Sequence, residues 1–271
     1  MKTIIKLILI YYALQILASL AVTPFVMIYQ YCTIGTFESE AAQAIIAGPS
    51  FALSFVFIMF YLWKKGYLGD LRLFLLPLPA KWLAGSLLAG ASLVLLEIYL
   101  SEWLDDFIPN WSGEQITNLQ MNWLGLLSIV ILGPVLEEVF YRGIVTRLLL
   151  RRYRPWAAIL VSGLIFAIIH LNPAQFIPAF TSGIFYAWLY YRMRSLWPGI
   201  LLHVLNNGFA AFMMRAFPET EDETLMQMMG QTGYVSALVV AAAVFVVFVW
   251  LLNRWLPTGV PMAKKEETEE C

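Results

Sequence analysis

The amino-acid sequence predicts an all-α, polytopic membrane protein: a bundle of about eight transmembrane helices with a functional site in a cavity within it. Three observations carry this expectation. Of 271 residues, 61% are hydrophobic and only 13% charged, with a mean hydropathy of +0.73; a soluble domain carries about a quarter charged residues because its surface must face water. Apolar runs of roughly 18 to 25 residues recur, the length that crosses a hydrocarbon core of about 30 Å as a helix. The basic residues also fall almost entirely on one side of the resulting topology.

The spans are expected at about 4–29, 44–63, 82–100, 123–147, 155–171, 174–192, 197–214 and 233–253. The first has a basic start, but its apolar run exceeds a signal-peptide core and lacks a small-x-small cleavage site, so it reads as a retained span. The second ends at Lys64 and Lys65, and the third runs between Lys81 and Glu102. The fourth contains the most charge of any span. Pro173 and Pro198 mark boundaries among the fifth to seventh, and the eighth is uninterrupted apolar sequence.

With eight crossings and the N-terminus inside, fifteen of seventeen basic residues lie on the inner side: Lys2, Lys6, Lys64, Lys65, Arg72, Lys81, Arg147, Arg151, Arg152, Arg154, Arg192, Arg194, Arg254, Lys264 and Lys265. The outer loops hold Arg215 and an acidic set, Glu38, Glu40, Glu102, Asp105, Asp106, Glu114, Glu219, Glu221, Asp222 and Glu223. An odd number of spans would scramble this separation. Both termini are therefore expected in the cytoplasm, and the protein in the cell (plasma) membrane.

The whole of 1–271 reads as one integral-membrane domain, with a motif-bearing core at about 121–214 and a solvated cytoplasmic tail at 256–271 that ends in AKKEETEEC. Two cysteines, Cys32 and Cys271, are too few for a disulfide framework and are not spaced as a metal site. Cys271 is the last residue, so it lacks the three that follow a prenylated cysteine. There is no nucleotide-binding glycine loop and no fixed-period repeat, and no nucleic-acid partner is expected; the bilayer is the expected surrounding.

The stretch GPVLEEVFYRGIV at 133–145 sets Glu137, Glu138 and Arg142 inside an apolar span. A charge at the centre of a spanning helix costs on the order of 2.5 to 3.5 kcal/mol on insertion scales, so these three must be paired or wetted. Residues four apart share a helix face, and acidic-before-basic is the favourable order, so Glu138 pairs with Arg142. Glu137 sits about 100° round the helix and has no partner within it. A purely structural ion network would account for all three charges, but not for a stranded Glu137. Both histidines of the chain, His170 and His203, also fall in expected spans, and Asn207 shares a helix face with His203 four residues earlier. Asn206 lies further round.

EEVFYR, FAIIH and HVLNN follow one another as two glutamates, three residues and an arginine; Phe, three residues and His; and His, three residues and Asn. In this order, on successive late spans, they resemble the CPBP (Abi-like) family of intramembrane proteases, which includes the type II CAAX prenyl endopeptidases and bacterial members linked to bacteriocin processing or immunity. The resemblance implies an eight-span fold, a cavity opening toward the cytoplasmic leaflet, and a catalytic glutamate rather than a metal. It implies Glu137 as the base, Glu138 and Arg142 as its structural support, and His170, His203 and Asn207 as the rest of the site. It also implies a membrane-associated peptide or protein substrate, such as a prenylated CAAX tail or a bacteriocin leader peptide.

Such a site suits peptide-bond hydrolysis. A carboxylate within about 3 Å of a water can take its proton during attack on the carbonyl, a contribution of roughly 10² to 10⁴ in rate. His170 would hold the water or pass the proton to the leaving amine, while His203 and Asn207 would donate to the oxyanion. No Ser or Cys stands in an equivalent constellation. Three further readings use the same residues. Glu137, His170 and His203 equal in number the protein ligands of a catalytic zinc, although not with the HExxH spacing. A proton-coupled transporter also employs intramembrane Glu, Arg and His, though neither repeats nor paired broken helices are present. A non-catalytic scaffold or immunity protein could keep the fold. Straight spanning helices would put His170 near the outer end of its span, away from Glu137 and His203, so the fifth helix is expected to be short, tilted or sunk.

Overall fold

The computed structural model describes residues 1–35, 39–69, 78–104, 107–111, 123–216 and 224–257. Of the positions used above, Glu38, Arg72, Asp105, Asp106, Glu114, Glu219, Glu221, Asp222, Glu223, Lys264, Lys265 and Cys271 lie outside them, as does the expected tail beyond Pro257. Among the described residues the chain is helical with no strand, in eight helices: α1 (Lys2–Ile34), α2 (Ser39–Lys64), α3 (Ala80–Leu104), α4 (Trp123–Leu150), α5 (Pro155–Ile168), α6 (Pro173–Met193), α7 (Trp197–Ala216) and α8 (Leu225–Trp255). The chain is thus an all-α polytopic membrane protein.

Five helices, α1, α2, α3, α4 and α8, are long and apolar enough to cross a membrane. The others differ for physical reasons. α5 has 14 residues, about 21 Å of helix, too short for a hydrocarbon core of about 30 Å. α6 and α7, at 21 and 20 residues, have the length but carry more polar side chains. The fifth helix is short, as the depth argument required. α8 begins before the expected 233: Thr224 and Gln227 form a capping box, and the helix breaks at Gly230, whose φ of 68° only glycine adopts readily.

Proline sets the entries of the late helices. Pro155 and Pro173 begin α5 and α6, and Pro198 is the second residue of α7. In a first turn the missing N–H costs nothing, because that group has no intrahelical acceptor, and the fixed φ suits the helix.

The helices form two compact units. The first contains α1, α2, α4 as far as Glu137, and α7 from His203. Here α1 packs along α2, and α2 along the N-terminal part of α4. Leu7, Tyr11, Ala18, Ile58 and Leu62 are buried, and the Phe51 ring lies against Gly133, where a Cβ would come within 3.2 Å of it.

The second unit contains α3, α4 from Glu138, α5, α6, α7 as far as Leu202, and α8. α3 packs against α8 and α5 against α6, around a core that includes Ala89, Leu93, Ile159, Phe185, Leu189, Leu202 and Leu252. Tyr99 of α3 donates to the Tyr234 carbonyl of α8 at 3.0 Å, with the two rings edge-on. The Arg192 guanidinium donates to Asn253 Oδ1 and to the carbonyls of Asn253, Leu256 and Pro257, acceptors left open at the end of α8.

Lipid is as apolar as leucine, so helix association in a bilayer relies on close packing and on hydrogen bonds more than on hydrophobic exclusion. α5 and α6 achieve this with glycines. A Cβ on Gly163 would meet the Ile184 backbone N at 3.0 Å and the Phe180 carbonyl at 3.2 Å, and one on Gly183 would meet the Gly163 Cα at 3.0 Å. At Gly90 the obstacle is instead the end of the Leu202 side chain, which can turn aside. Gly163→Ala should therefore lower stability by about 1–3 kcal/mol, and Gly90→Ala by less. Thermal unfolding of the two variants in detergent checks the order.

Candidate functional site

The site is built on α4, whose backbone is not a regular α-helix. It widens to π-helical turns over Ser128–Leu132 and again over Glu138–Thr146, a departure that recurs at functional sites. The sequence contains a cause for the first. Pro134 has no N–H to offer the Val130 carbonyl, four residues back, or the Ile129 carbonyl, five back. The Gly133 N–H goes to the Ser128 carbonyl rather than to Ile129. The Ile129 carbonyl is thus orphaned by its own helix, and Asn207 of α7 supplies the missing donor at 2.9 Å. This accounts for the Asn207 side chain from the backbone upward. Its amide holds α7 to α4 with one N–H and retains a second.

Glu137 ends the α-helical turn Gly133–Glu137. Its side chain is 21% exposed, and its Oε2 lies 3.8 Å from His203 Nε2, beyond a hydrogen bond but within close electrostatic range. Oε2 is itself buried and has no hydrogen-bond partner among the described residues. His203 is buried. α1 adds two residues that no motif marked: Tyr11 and Tyr12 lie within electrostatic reach of Glu137. They belong to a run of apolar residues with no spacing signal, so sequence reasoning had nothing to find them by.

Glu138, the next residue, has a different environment, in the second unit. Arg142 Nη1 donates to Glu138 Oε1 at 2.7 Å with both side chains at most 1% exposed. The pairing expected from the four-residue spacing is present, although on π-helical backbone. Arg142 Nη2 reaches the Gly183 carbonyl at 3.4 Å, and its Cζ lies 4.1 Å above the Phe166 ring and 5.2 Å from that of Tyr186. On its other side Glu138 stands against the first turn of α7, where a Cβ on Gly199 would be 2.5 Å from Oε2. The open N–H groups of a helix start favour an anion there.

His170 lies beyond the end of α5, in a turn that continues to Leu171 at φ 51°. Its Nδ1 is 2.7 Å from the Phe166 carbonyl. A carbonyl only accepts, so Nδ1 carries the proton and a neutral ring offers Nε2 as a base. The Phe166 ring stands edge-on to His170 and beneath Arg142. That is the physical content of the phenylalanine in FAIIH: one ring touches both the first motif and the second. Among the described residues, no group of three or more His, Cys, Asp or Glu is gathered as metal ligands. The sequence positions thus divide into Glu137, His203 and Asn207 in the first unit, and Glu138, Arg142 and His170 in the second.

Comparison with known proteins gives one family match. Residues 119–209 match the type II CAAX prenyl endopeptidase, Rce1-like family. The matched segment spans about a third of the chain and contains every motif residue discussed above. YdiL of Bacillus subtilis, described as a candidate membrane peptidase, is 32% identical over 83 residues, 31% of this chain and 34% of YdiL. MroQ of Staphylococcus aureus, described as a membrane-embedded CAAX protease, is 35% identical over 101 residues, 35% of this chain and 40% of MroQ. The matched part therefore covers roughly a third to two-fifths of each curated relative. No solved structure matches.

The matched segment thus buries an ion pair next in sequence to a carboxylate that is not part of it. Arg142→Met should strand Glu138 in a dry site and cost about 3–5 kcal/mol, whereas removing both charges in the Glu138→Gln/Arg142→Met double variant should recover most of the loss. Denaturation of the single and double variants in mixed micelles measures the difference.

Proposed function

We propose that the protein is an intramembrane endopeptidase of the glutamate type, in which Glu137 activates water for hydrolysis of a peptide bond. The observation that supports this best is the state of Glu137: partly exposed, with Oε2 unsatisfied among the described residues and an imidazole nitrogen 3.8 Å away. A structural carboxylate in a membrane protein is expected to have a charged partner, as Glu138 has in Arg142. A carboxylate left with an open lone pair beside a proton carrier is suited to general-base work.

On this reading Glu137 takes a proton from water as the oxygen attacks the scissile carbonyl carbon. The carbonyl oxygen becomes an oxyanion, for which His203 and the second Asn207 N–H are the donors. The C–N bond then breaks as the leaving amine receives a proton. That proton is the one Glu137 took from the water; His170, with Nδ1 fixed on a carbonyl and Nε2 open to accept, is assigned to relay it. Glu138 and Arg142 hold the α4 backbone that presents Glu137. The substrate is a membrane-associated peptide or protein. A prenylated C-terminal tail and a leader peptide are the two classes to assay first, given the Rce1-like segment and the MroQ match. The orientation we assign, both termini cytoplasmic in the plasma membrane, follows from the one-sided basic residues.

The protein purified in detergent, given a panel of prenylated and unprenylated peptides, tests this. Glu137→Gln should reduce cleavage by about 10² or more while the protein folds and melts as the wild type does. Loss of cleavage in chelator would select a metal mechanism. A wild type that cleaves nothing but captures a partner equally well with and without Glu137 would select a scaffold.

A further inference from the structure

Outside the motif set, the second unit buries another carboxylate. Glu97, in the apolar helix α3, is 7% exposed and makes no ion pair within 4 Å among the described residues. Its partners are two hydroxyls and a backbone N–H of α6. Thr181 Oγ1 lies 2.5 Å from Oε1, and Ser182 Oγ lies 2.8 Å from Oε1 and 3.0 Å from Oε2. The catalytic reading gives this group no task.

Counting protons indicates its form. Thr181 Oγ1 is also 3.0 Å from the Ile177 carbonyl and 3.1 Å from that of Pro178. A threonine hydroxyl has one proton, which a charged Glu97 and two carbonyls would all compete for. An ionised carboxylate would then rest on neutral donors alone, the two hydroxyls and the Ser182 backbone N–H, in a site without a cation, a costly arrangement. With a proton on Oε1 every group is served: Glu97 donates to Thr181, Thr181 to the Ile177 carbonyl, and Ser182 to Glu97 Oε2. The arrangement is a closed set of neutral hydrogen bonds that joins α3 to α6.

The turn so held is the one on which Arg142 rests. Gly183, next to Ser182, supplies the carbonyl that faces Arg142 Nη2, and Tyr186, one turn on, supplies one of the two rings beside its guanidinium. We propose that Glu97 is a further positioning residue: a protonated carboxyl that pins the Thr181–Ser182 turn of α6 and so sets the Gly183 carbonyl and Tyr186 ring against which Arg142 holds Glu138. The catalytic purpose of this pin rests on the peptidase reading; the pin itself does not.

Infrared difference spectra of the full chain in lipid nanodiscs, wild type against Glu97→Gln, test the pin. A protonated-carboxyl C=O band should be present in the wild type at neutral pH and absent in Glu97→Gln. Kinetics test its purpose. The glutamine amide can donate to Thr181 and its carbonyl can accept from Ser182, so Glu97→Gln should keep kcat within about threefold, while Glu97→Leu should lower kcat about tenfold or more with KM little changed. Ser182→Ala, which leaves Glu97 in place, should lower kcat in the same sense and serves if Glu97→Leu does not fold. Absence of the band overturns the pin whatever the cleavage result. A glutamine variant as impaired as the leucine one overturns the role of the neutral acid. A band in a wild type that cleaves no peptide overturns the peptidase reading, and the positioning role with it.

Discussion

Arg142 Nη1 meets Glu138 Oε1 at 2.7 Å where neither side chain is more than 1% exposed, and most of the second unit near the site is arranged around that contact. Two opposite charges out of water do not by themselves stabilise a fold, because their desolvation can exceed their attraction. What the pair does is leave little freedom to everything that touches it. The guanidinium is planar and needs flat partners, which Phe166 and Tyr186 supply. The carboxylate needs room and a positive end, which Gly199 and the start of α7 supply. Four helices are tied to one ion pair by requirements of shape as much as of energy.

The backbone of α4 answers to a second constraint, of a different kind. Pro134 removes a donor, the helix widens, and the Ile129 carbonyl turns to Asn207 for a partner. An orphaned carbonyl in lipid costs several kcal/mol, so Asn207 is structurally employed whatever chemistry it also does. Farther along, Thr146 Oγ1 bonds the Tyr141 carbonyl, five residues back, and lies 2.6 Å from Ser162 of α5. Each irregular turn of α4 is thus closed by a side chain.

The class of fold was legible because a bilayer imposes length and composition directly, and the eight expected segments correspond to eight described helices. Which of them are long and apolar enough to cross was less legible: α5 proved short, because apolar character continues past Ile168 through Ile169 to Leu171 and only the backbone ends the helix there. The Glu138–Arg142 pair could be read from spacing alone, since a four-residue offset still brings the two together on the wider turn. The π-helical backbone could not, although Pro134 was in view, because a proline in a span can also kink a helix or sit at its start. Tyr11, Tyr12 and Glu97 were not found, for one reason. Their partners lie in distant segments, on α4 for the tyrosines and on α6 for Glu97, and a pairing made only in three dimensions leaves no local spacing to read.

Three buried or half-buried glutamates now stand in three environments, and the contrast among them separates their roles. Glu138 has the Arg142 guanidinium beside it; Glu97 has the neutral donors of the Thr181–Ser182 turn in place of a cation. Glu137 is the partly wet one of the three, with an imidazole nitrogen 3.8 Å from its Oε2. On the peptidase reading, acid–base work falls to the glutamate that water can reach. On that argument the neighbours of Glu137 matter less for what they bond than for what they leave open.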